Sequence, residues 1–258
     1  VAAQLELRQM SRFFGGLAAV NLLDMKVHQG EILGLIGPNG AGKTTTFSVI
    51  TGEYPPSRGE ILFEGRSIAG LSPHRVAKKG IVRTFQLNTL FPHLSVLDNV
   101  LIGLHLRAGI NFLEGLFNTG SNRRKERNLI RQAVEVLDFM GLSEFRNEEA
   151  LNLPHGRQRA LGIAIALASR PKVLLLDEPL TGMNTAEVEG MLEIIRKIRE
   201  EFETTIVVVE HNMRAVMALC ERLVVINFGQ KIAEGPPEVI QADQAVIEAY
   251  LGTENHAA

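Results

Sequence analysis

The sequence predicts an α/β fold: a core of mainly parallel sheet, an antiparallel β subdomain and an inserted α-helical subdomain. Three observations carry that prediction. Glu31-Ile32-Leu33-Gly34-Leu35-Ile36, Val173-Leu174-Leu175-Leu176 and Thr204 to Glu210 are short apolar runs of the kind buried on both faces in a parallel sheet. Leu5 to Met10 and Leu17 to Val27 alternate instead, as antiparallel strands do. No strand-like run interrupts 95–170, where apolar residues recur at helical spacing.

Composition sets the outer bounds. The 258 residues are 45% hydrophobic, enough for a sizeable core in one large domain or a core plus a small subdomain. A formal net charge of -2 argues against a broad nucleic-acid footprint, so no nucleic-acid partner is expected. No apolar run approaches the ~18 residues that span a bilayer. The polar start predicts no signal peptide, and Val1 implies a removed initiator Met. The single Cys220 sits at helical spacing among apolar residues and reads as core filler.

Taken in order, the two alternating strands flank Phe13-Phe14-Gly15-Gly16. An exposed aromatic beside a Gly turn can stack on a nucleobase, worth on the order of 1–3 kcal/mol, and Phe14 is the candidate. The apolar run 31–36 leads into Gly37-Pro38-Asn39-Gly40-Ala41-Gly42-Lys43-Thr44-Thr45. This matches the phosphate-binding loop G-x-x-x-x-G-K-[ST]. Its glycines let the backbone turn tightly and aim N–H groups inward as an anion nest. A helix starting at about Gly42 presents its positive end to the same phosphates. Lys43 can reach the β- and γ-phosphates, and the Thr44 hydroxyl suits Mg²⁺, a hard ion that prefers oxygen.

Further on, 53–60 is a turn cluster, Ile61 to Phe63 a strand, and Ser72-Pro73 a helix start with Ser72 as N-cap. Ile81 to Phe85 reads as a strand ending at Gln86. Ser95 to Leu106 is helical. Residues 107–122 form a Gly/Asn-rich connection carrying Ile110, Phe112, Leu113, Leu116 and Phe117. A long helix runs from Arg123 to about Met140, its basic opening a solvated face. The run at 172–176 ends in Asp177-Glu178, two acids at the carboxyl edge of the sheet. Asp177 can hold a Mg²⁺ shell, and Glu178 can orient or deprotonate a water. Thr185 to Glu201 is an amphipathic helix. Thr204 to Glu210 ends at His211, on the same edge as the acids, where it can donate to a γ-phosphate. Leu223 to Asn227 and Gln230 to Glu234 close the core as strands, and Val239 to Leu251 is a helical tail.

These elements in this order resemble the ATP-binding-cassette ATPases over nearly the whole chain. The resemblance implies a P-loop NTPase core that binds ATP and Mg²⁺. It makes 37–44 the Walker A loop and Asp177-Glu178 the end of Walker B. It makes Gln86 in Arg83-Thr84-Phe85-Gln86 the Q-loop residue, touching nucleotide and metal with Thr44 and Asp177, and His211 the switch histidine. Leu153-Pro154-His155-Gly156-Arg157-Gln158 takes the place of the signature, ahead of a helix from Ala160 to Ser169. In that family two cassettes bind ATP head to tail, each signature closing on the other's phosphate loop.

The stretches Arg12 to Asn21, Val82 to Gln86, 107–122 and Asp243 to Gly252 narrow the likeness to the longer ATPase subunit of branched-chain amino-acid importers. Phe14 and Val20 then fall among the nucleotide-binding positions. The implied partners are a second ATPase chain, transmembrane permease subunits and, indirectly, an extracytoplasmic solute-binding protein. The implied place is the cytoplasmic face of the inner membrane, as a peripheral subunit. The whole chain is expected to be one ATPase domain. Residues 1–94 and 171–235 form the core with its β subdomain, 95–170 the helical subdomain, and 236–258 the tail.

The signature departs from the usual Leu-Ser-Gly-Gly-Gln: Pro154 stands for Ser, His155 for Gly and Arg157 for Gln. Arg157 then adds a charge that can partly substitute at the phosphate. Asn184 stands where an acidic residue is usual after Walker B. Three other functions compete with import, one of them a nucleotide-binding regulatory subunit without turnover, against which Glu178 and His211 argue. A cassette acting on ribosomes or DNA usually carries two cassettes or long coiled coils, absent from this sequence. An envelope lipid or lipopolysaccharide exporter has similar motifs but normally lacks the insert.

Overall fold

The structure is a computed structural model that describes residues 3–84, 90–108 and 120–254. Strands β1 (Ala3–Phe14) and β2 (Leu17–His28) form a hairpin in which Phe14 pairs with Leu17. Phe13 and Phe14 are therefore the end of a strand, and the turn is Gly15-Gly16 alone. β3 (Ile32–Ile36) is buried at every residue. It delivers the chain into the glycine-rich loop and α1 (Lys43–Ile50). β4 (Arg58–Phe63) and the two-residue β5 (Arg66–Ser67) follow, then α2 (Pro73–Lys79) and β6 (Ile81–Arg83). Ser72 is the N-cap of α2 by backbone geometry, but its hydroxyl turns to His74 Nδ1 rather than capping the turn.

The helices α3 (Val96–Ala108), α4 (Gly120–Phe139) and α5 (His155–Ala168) come next. Then follow β7 (Val173–Asp177), α6 (Thr185–Glu201), β8 (Thr205–Val209), α7 (Met213–Leu219), β9 (Arg222–Asn227) and β10 (Gln230–Gly235). The tail is two helices rather than one, α8 (Pro237–Ala242) and α9 (Gln244–Glu254). Asp243 breaks it: its backbone is extended, and its carboxylate accepts from Val246 N at 3.1 Å, capping the second helix. α7 is only 7 residues long and apolar at every position but Arg214, so it shows no period, and it is marked only by its cap, Asn212 accepting from Ala215 N.

The chain divides into two compact units. The first comprises Val1–Arg83, Lys172–Pro179 and Ile195–Ala258. It holds two sheets, one four-stranded and antiparallel in the order β2-β1-β4-β5, the other six-stranded in the order β10-β9-β3-β8-β7-β6. In the second sheet β6, β7, β8, β3 and β9 run parallel, and β10 closes the edge antiparallel to β9. β7 and β8 are buried throughout, as two-sided strands require. Phe47 of α1 is fully buried in the same core as Leu5, Leu7, Leu33, Leu35, Val207 and Ile226. The C-terminal ends of β3, β7 and β8 thus open on one edge, each followed by a loop carrying polar chemistry.

The second unit comprises Thr84–Pro171 and Leu180–Ile194. Its inserted part begins at Thr84, ahead of the boundary at 95 that periodicity suggests, and it takes in the residues after β7. Asn184 and Glu187 close a reciprocal capping box at the start of α6: Glu187 Oε2 accepts from Asn184 N at 2.9 Å, and Asn184 Oδ1 accepts from Glu187 N at 3.1 Å. Buried Asn99 stitches the start of α3 to its leading loop, donating to Phe91 O, Leu94 O and Ser95 O and accepting from Phe91 N. α5 begins at His155, five residues before the start expected at Ala160. Pro154 ends the preceding extended segment as N-cap, so the basic polar turn His155 to Arg159 is already helical.

Candidate nucleotide-binding site

The glycine-rich loop is shaped from behind. Gly37 has φ 152° and Gly42 φ 104°. A Cβ on Gly37 would lie 2.0 Å from Ile226 O, and one on Gly42 would lie 2.4 Å from Ala19 O. Their need for glycine is therefore close approach of backbone as much as a left-handed turn. The turn between β9 and β10 locks the loop in place: Asn21 N donates to Gly229 O at 2.8 Å, and Gly229 N donates to Ala41 O at 2.9 Å. Val20 is fully buried beneath Gly42. Pro38 and Ala41 are buried, and Asn39 and Gly40 are exposed on the open side.

Lys43 is the second residue type fixed by this architecture. It is buried, and its ammonium donates to Gly37 O at 2.7 Å and Pro38 O at 2.9 Å. An ammonium has three N–H donors, so the loop carbonyls leave one to face a phosphate. Burial pulls the Lys43 pKa below its ordinary value, and the charges of Glu178 and Asp177 oppose that pull. The lysine and both acids therefore share one electrostatic environment. Thr44 is exposed on the first turn of α1, Thr45 is half-buried, and Thr46 is turned away, its hydroxyl on Gly42 O.

Asp177 ends β7 nearly fully buried, and its Oδ2 accepts from Arg83 Nη2 at 2.6 Å. Glu178 follows with φ 49°, a left-handed conformation that a residue with a Cβ adopts only under constraint. The constraint is in part a backbone bond, Glu178 N donating to Val209 O at 2.9 Å. The twist carries the Glu178 carboxylate to His211, with Oε1 2.9 Å from Nε2. A carboxylate held beside an imidazole at the mouth of a phosphate loop can accept a proton from a bound water. The oxygen donors of Thr44 and Asp177 suit Mg²⁺. Among the described residues no group of three or more His, Cys, Asp or Glu side chains could cage a metal. An ion here would therefore complete its shell from phosphate and water.

Phe14 is 39% exposed. Its ring meets Tyr54 edge-on at 5.2 Å, and the Arg12 guanidinium lies 4.6 Å from its centroid. Arg12 is itself tied to Pro55 O at 3.0 Å. A ring stiffened this way is a ready stacking platform for a base. Gln86, expected at both nucleotide and metal, and the apolar residues at 110–117 lie outside the described residues.

Comparison with known proteins gives this geometry a family. The ABC transporter family pattern matches residues 20–181. The chain belongs to the ABC transporter family. A second pattern, branched-chain amino acid ATP-binding cassette transporter, matches residues 230–256. The chain is 43% identical over 248 residues to the high-affinity branched-chain amino acid transport ATP-binding protein BraF of Pseudomonas aeruginosa, covering 96% of this chain and 97% of BraF. It is 41% identical over 239 residues to LivG of Escherichia coli, a protein of the same description, covering 93% and 94%. An ATP-binding cassette of an ABC transporter, solved in its ADP conformation, superposes with a TM-score of 0.86 at 30% identity, covering 98% of this chain and 100% of that one.

The stretch expected to serve as the signature lies at the head of the 14-residue α5. Leu153 is buried, while Pro154 and His155 are exposed. Gly156 is pressed against Glu187: a Cβ there would lie 2.8 Å from Oε1. Arg157 is otherwise engaged than the sequence suggests. Its Nη1 donates to Gly141 O at 2.8 Å, and its guanidinium lies 5.3 Å from the Phe145 ring centroid. It braces the connection after α4. Gln158 likewise turns back, donating to Leu153 O at 2.9 Å.

Sequence reading missed two residues of this site. Arg83 looked like part of a strand, with nothing in its spacing to pair it with Asp177. Tyr250 of α9 is half-buried against the phosphate loop. Burial raises its pKa, and a hydrogen bond to the Gly37 backbone works the other way. A Tyr in a helical tail has no local signal that would reveal a partner about two hundred residues earlier.

Proposed function

We propose that this chain is the ATP-hydrolysing subunit of an importer for branched-chain or other small amino acids, peripheral on the cytoplasmic face of the inner membrane. The observation that carries the hydrolytic part is the cluster of Lys43, Asp177, Glu178 and His211 on one sheet edge, with Glu178 Oε1 2.9 Å from His211 Nε2. Glu178 accepts the proton of the attacking water, and His211 orients that carboxylate and donates to the γ-phosphate. Lys43 and the 37–45 loop bind the phosphates, while Phe14 stacks on adenine. Thr44, Asp177 and Gln86 would hold Mg²⁺, which would supply charge neutralisation at the phosphates. The C-terminal match and the two relatives support import of branched-chain amino acids over lipid export.

No described helix is long and apolar enough to cross a membrane. Transport therefore needs permease subunits, and an extracytoplasmic binding protein supplies the solute. The helical unit docks the permease through the segment around 107–122, with Gln86 at the hinge. The partner cassette is a different chain with a stronger signature. Pro154 lacks both a hydroxyl and an N–H donor, so this chain's own signature holds a phosphate less firmly. A missing hydrogen bond to a charged group costs about 1.5–3 kcal/mol, roughly tenfold or more in closure. The test is to co-express the chain with the permease genes beside it and reconstitute the purified complex with its binding protein. ATP-dependent leucine uptake into vesicles is the expected result. A chain that never co-purifies with a membrane subunit, or a complex that exports lipid and takes up no amino acid, overturns the reading.

A further inference from the structure

The Arg83 guanidinium is bonded to the Asp177 carboxylate, and neither the phosphate loop nor the Asp177-Glu178 strand end includes it. It ends β6 in register with Leu175, so its side chain runs along the neighbouring strand to Asp177. The approach is close and dry: 2.6 Å, with side-chain exposures of 9% for Arg83 and 2% for Asp177. The other end of the guanidinium is held as firmly. Nη1 donates to Ser48 Oγ at 3.0 Å and to Glu53 Oε1 at 3.0 Å. Phe47 lies beneath, its ring centroid 5.8 Å from the guanidinium carbon. Nε is buried with no hydrogen-bond partner among the described residues. An Arg that leaves one donor orphaned is held there by its charge contacts, not by a complete set of hydrogen bonds.

We propose that Arg83 is a positioning residue that acts as the resident counter-ion of Asp177, weakening binding of a divalent cation at the site until nucleotide phosphates arrive with it. The inference rests on the reading of Asp177 as the metal-holding carboxylate. Two effects combine. The guanidinium occupies Oδ2 and so narrows what the carboxylate can offer. Its charge also stands within a few ångströms of any ion on Asp177, in a poorly hydrated pocket where screening is weak. Lys43 adds a second fixed cation to the same acids. A cassette built this way resists loading with metal alone and takes it together with ATP. Glu53 tunes the effect because it shares the guanidinium with Asp177.

The test titrates Mn²⁺, followed by the loss of its free EPR signal, into the full-length protein without nucleotide and again with ATP. Arg83→Met is expected to tighten nucleotide-free Mn²⁺ binding by about tenfold or more. Arg83→Lys keeps the charge and stays near wild type. Glu53→Gln leaves Asp177 as the guanidinium's only carboxylate and weakens Mn²⁺ binding several-fold. Asp177→Asn, measured in parallel, removes the site. If Asp177→Asn leaves Mn²⁺ binding intact, the underlying reading of Asp177 fails. If Asp177→Asn abolishes binding while Arg83→Met leaves it unchanged or weaker, the counter-ion role is overturned. Should Arg83→Met not fold, Glu53→Gln decides, and unchanged Mn²⁺ affinity there overturns it equally.

Discussion

The phosphate loop and the signature turn are both glycine-bearing loops that open a helix, yet their residues are used differently. Around the phosphate loop, neighbouring backbones press in from β2 and from the β9–β10 turn, and Lys43 is folded over the loop's own carbonyls. In the signature turn, Arg157 and Gln158 turn back to brace Gly141 O and Leu153 O, while Pro154 and His155 face outward. The first loop is complete within one chain. The second presents a helix N-terminus with Gly156, and under the proposed function its ligand comes from another chain. A shared vocabulary of glycine, lysine or arginine and a helix start does not make two equal anion sites.

That contrast can be broken from either side. Glu178→Gln should cut ATP turnover of the complex by roughly 10²–10⁴-fold, since the amide cannot take the water's proton, while ATP affinity holds within about threefold. Steady-state turnover with calorimetric binding checks both. Lys43→Ala should weaken ATP binding itself by about tenfold or more, because it removes the charge facing the phosphates. Unchanged affinity would remove the case for a self-sufficient loop. Arg157→Ala sharpens the other side. It should leave ATP affinity and turnover within about twofold and lower Tm by about 2–4 °C, the signature of a brace. A large loss of turnover without loss of Tm would return Arg157 to the phosphate. The smallest effect concerns Cys220, whose thiol burial pushes up to about 12 from 9.0. The folded protein keeps that proton where the unfolded chain loses it, so this contribution to stability is intact below pH 9 and falls away between pH 9 and 12. A thiol reagent at pH 8 should label Cys220 only after denaturation; prompt native labelling would contradict the burial.

What could be read beforehand divides along the same line. The buried runs at β3, β7 and β8 announced a parallel sheet, and the loop from Gly37 to Thr45 announced phosphate chemistry, because local composition encodes both. Glu178 could be named, but not its left-handed backbone or its contact with His211, which depend on the pairing of β7 with β8. Arg83 on Asp177 and Tyr250 on Gly37 were invisible, because each contact joins residues far apart in the chain with no motif between them. The start of α5 was placed late because its first turn is polar and basic, and apolar periodicity begins only at Ala160. The contact of Arg157 with Gly141 O was equally invisible, because it depends on packing rather than on local pattern.

The most direct test of the account compares the two composite ATP sites of the assembled transporter. Glu178→Gln is made in this chain, and the equivalent carboxylate is changed in its companion, each within the otherwise intact complex. The account predicts that Glu178→Gln abolishes most hydrolysis and uptake, because this chain's complete loop faces the companion's stronger signature. The companion's substitution should cost far less. Equal damage from the two substitutions, or an isolated chain that dimerises and hydrolyses ATP as fast as the pair, would contradict it.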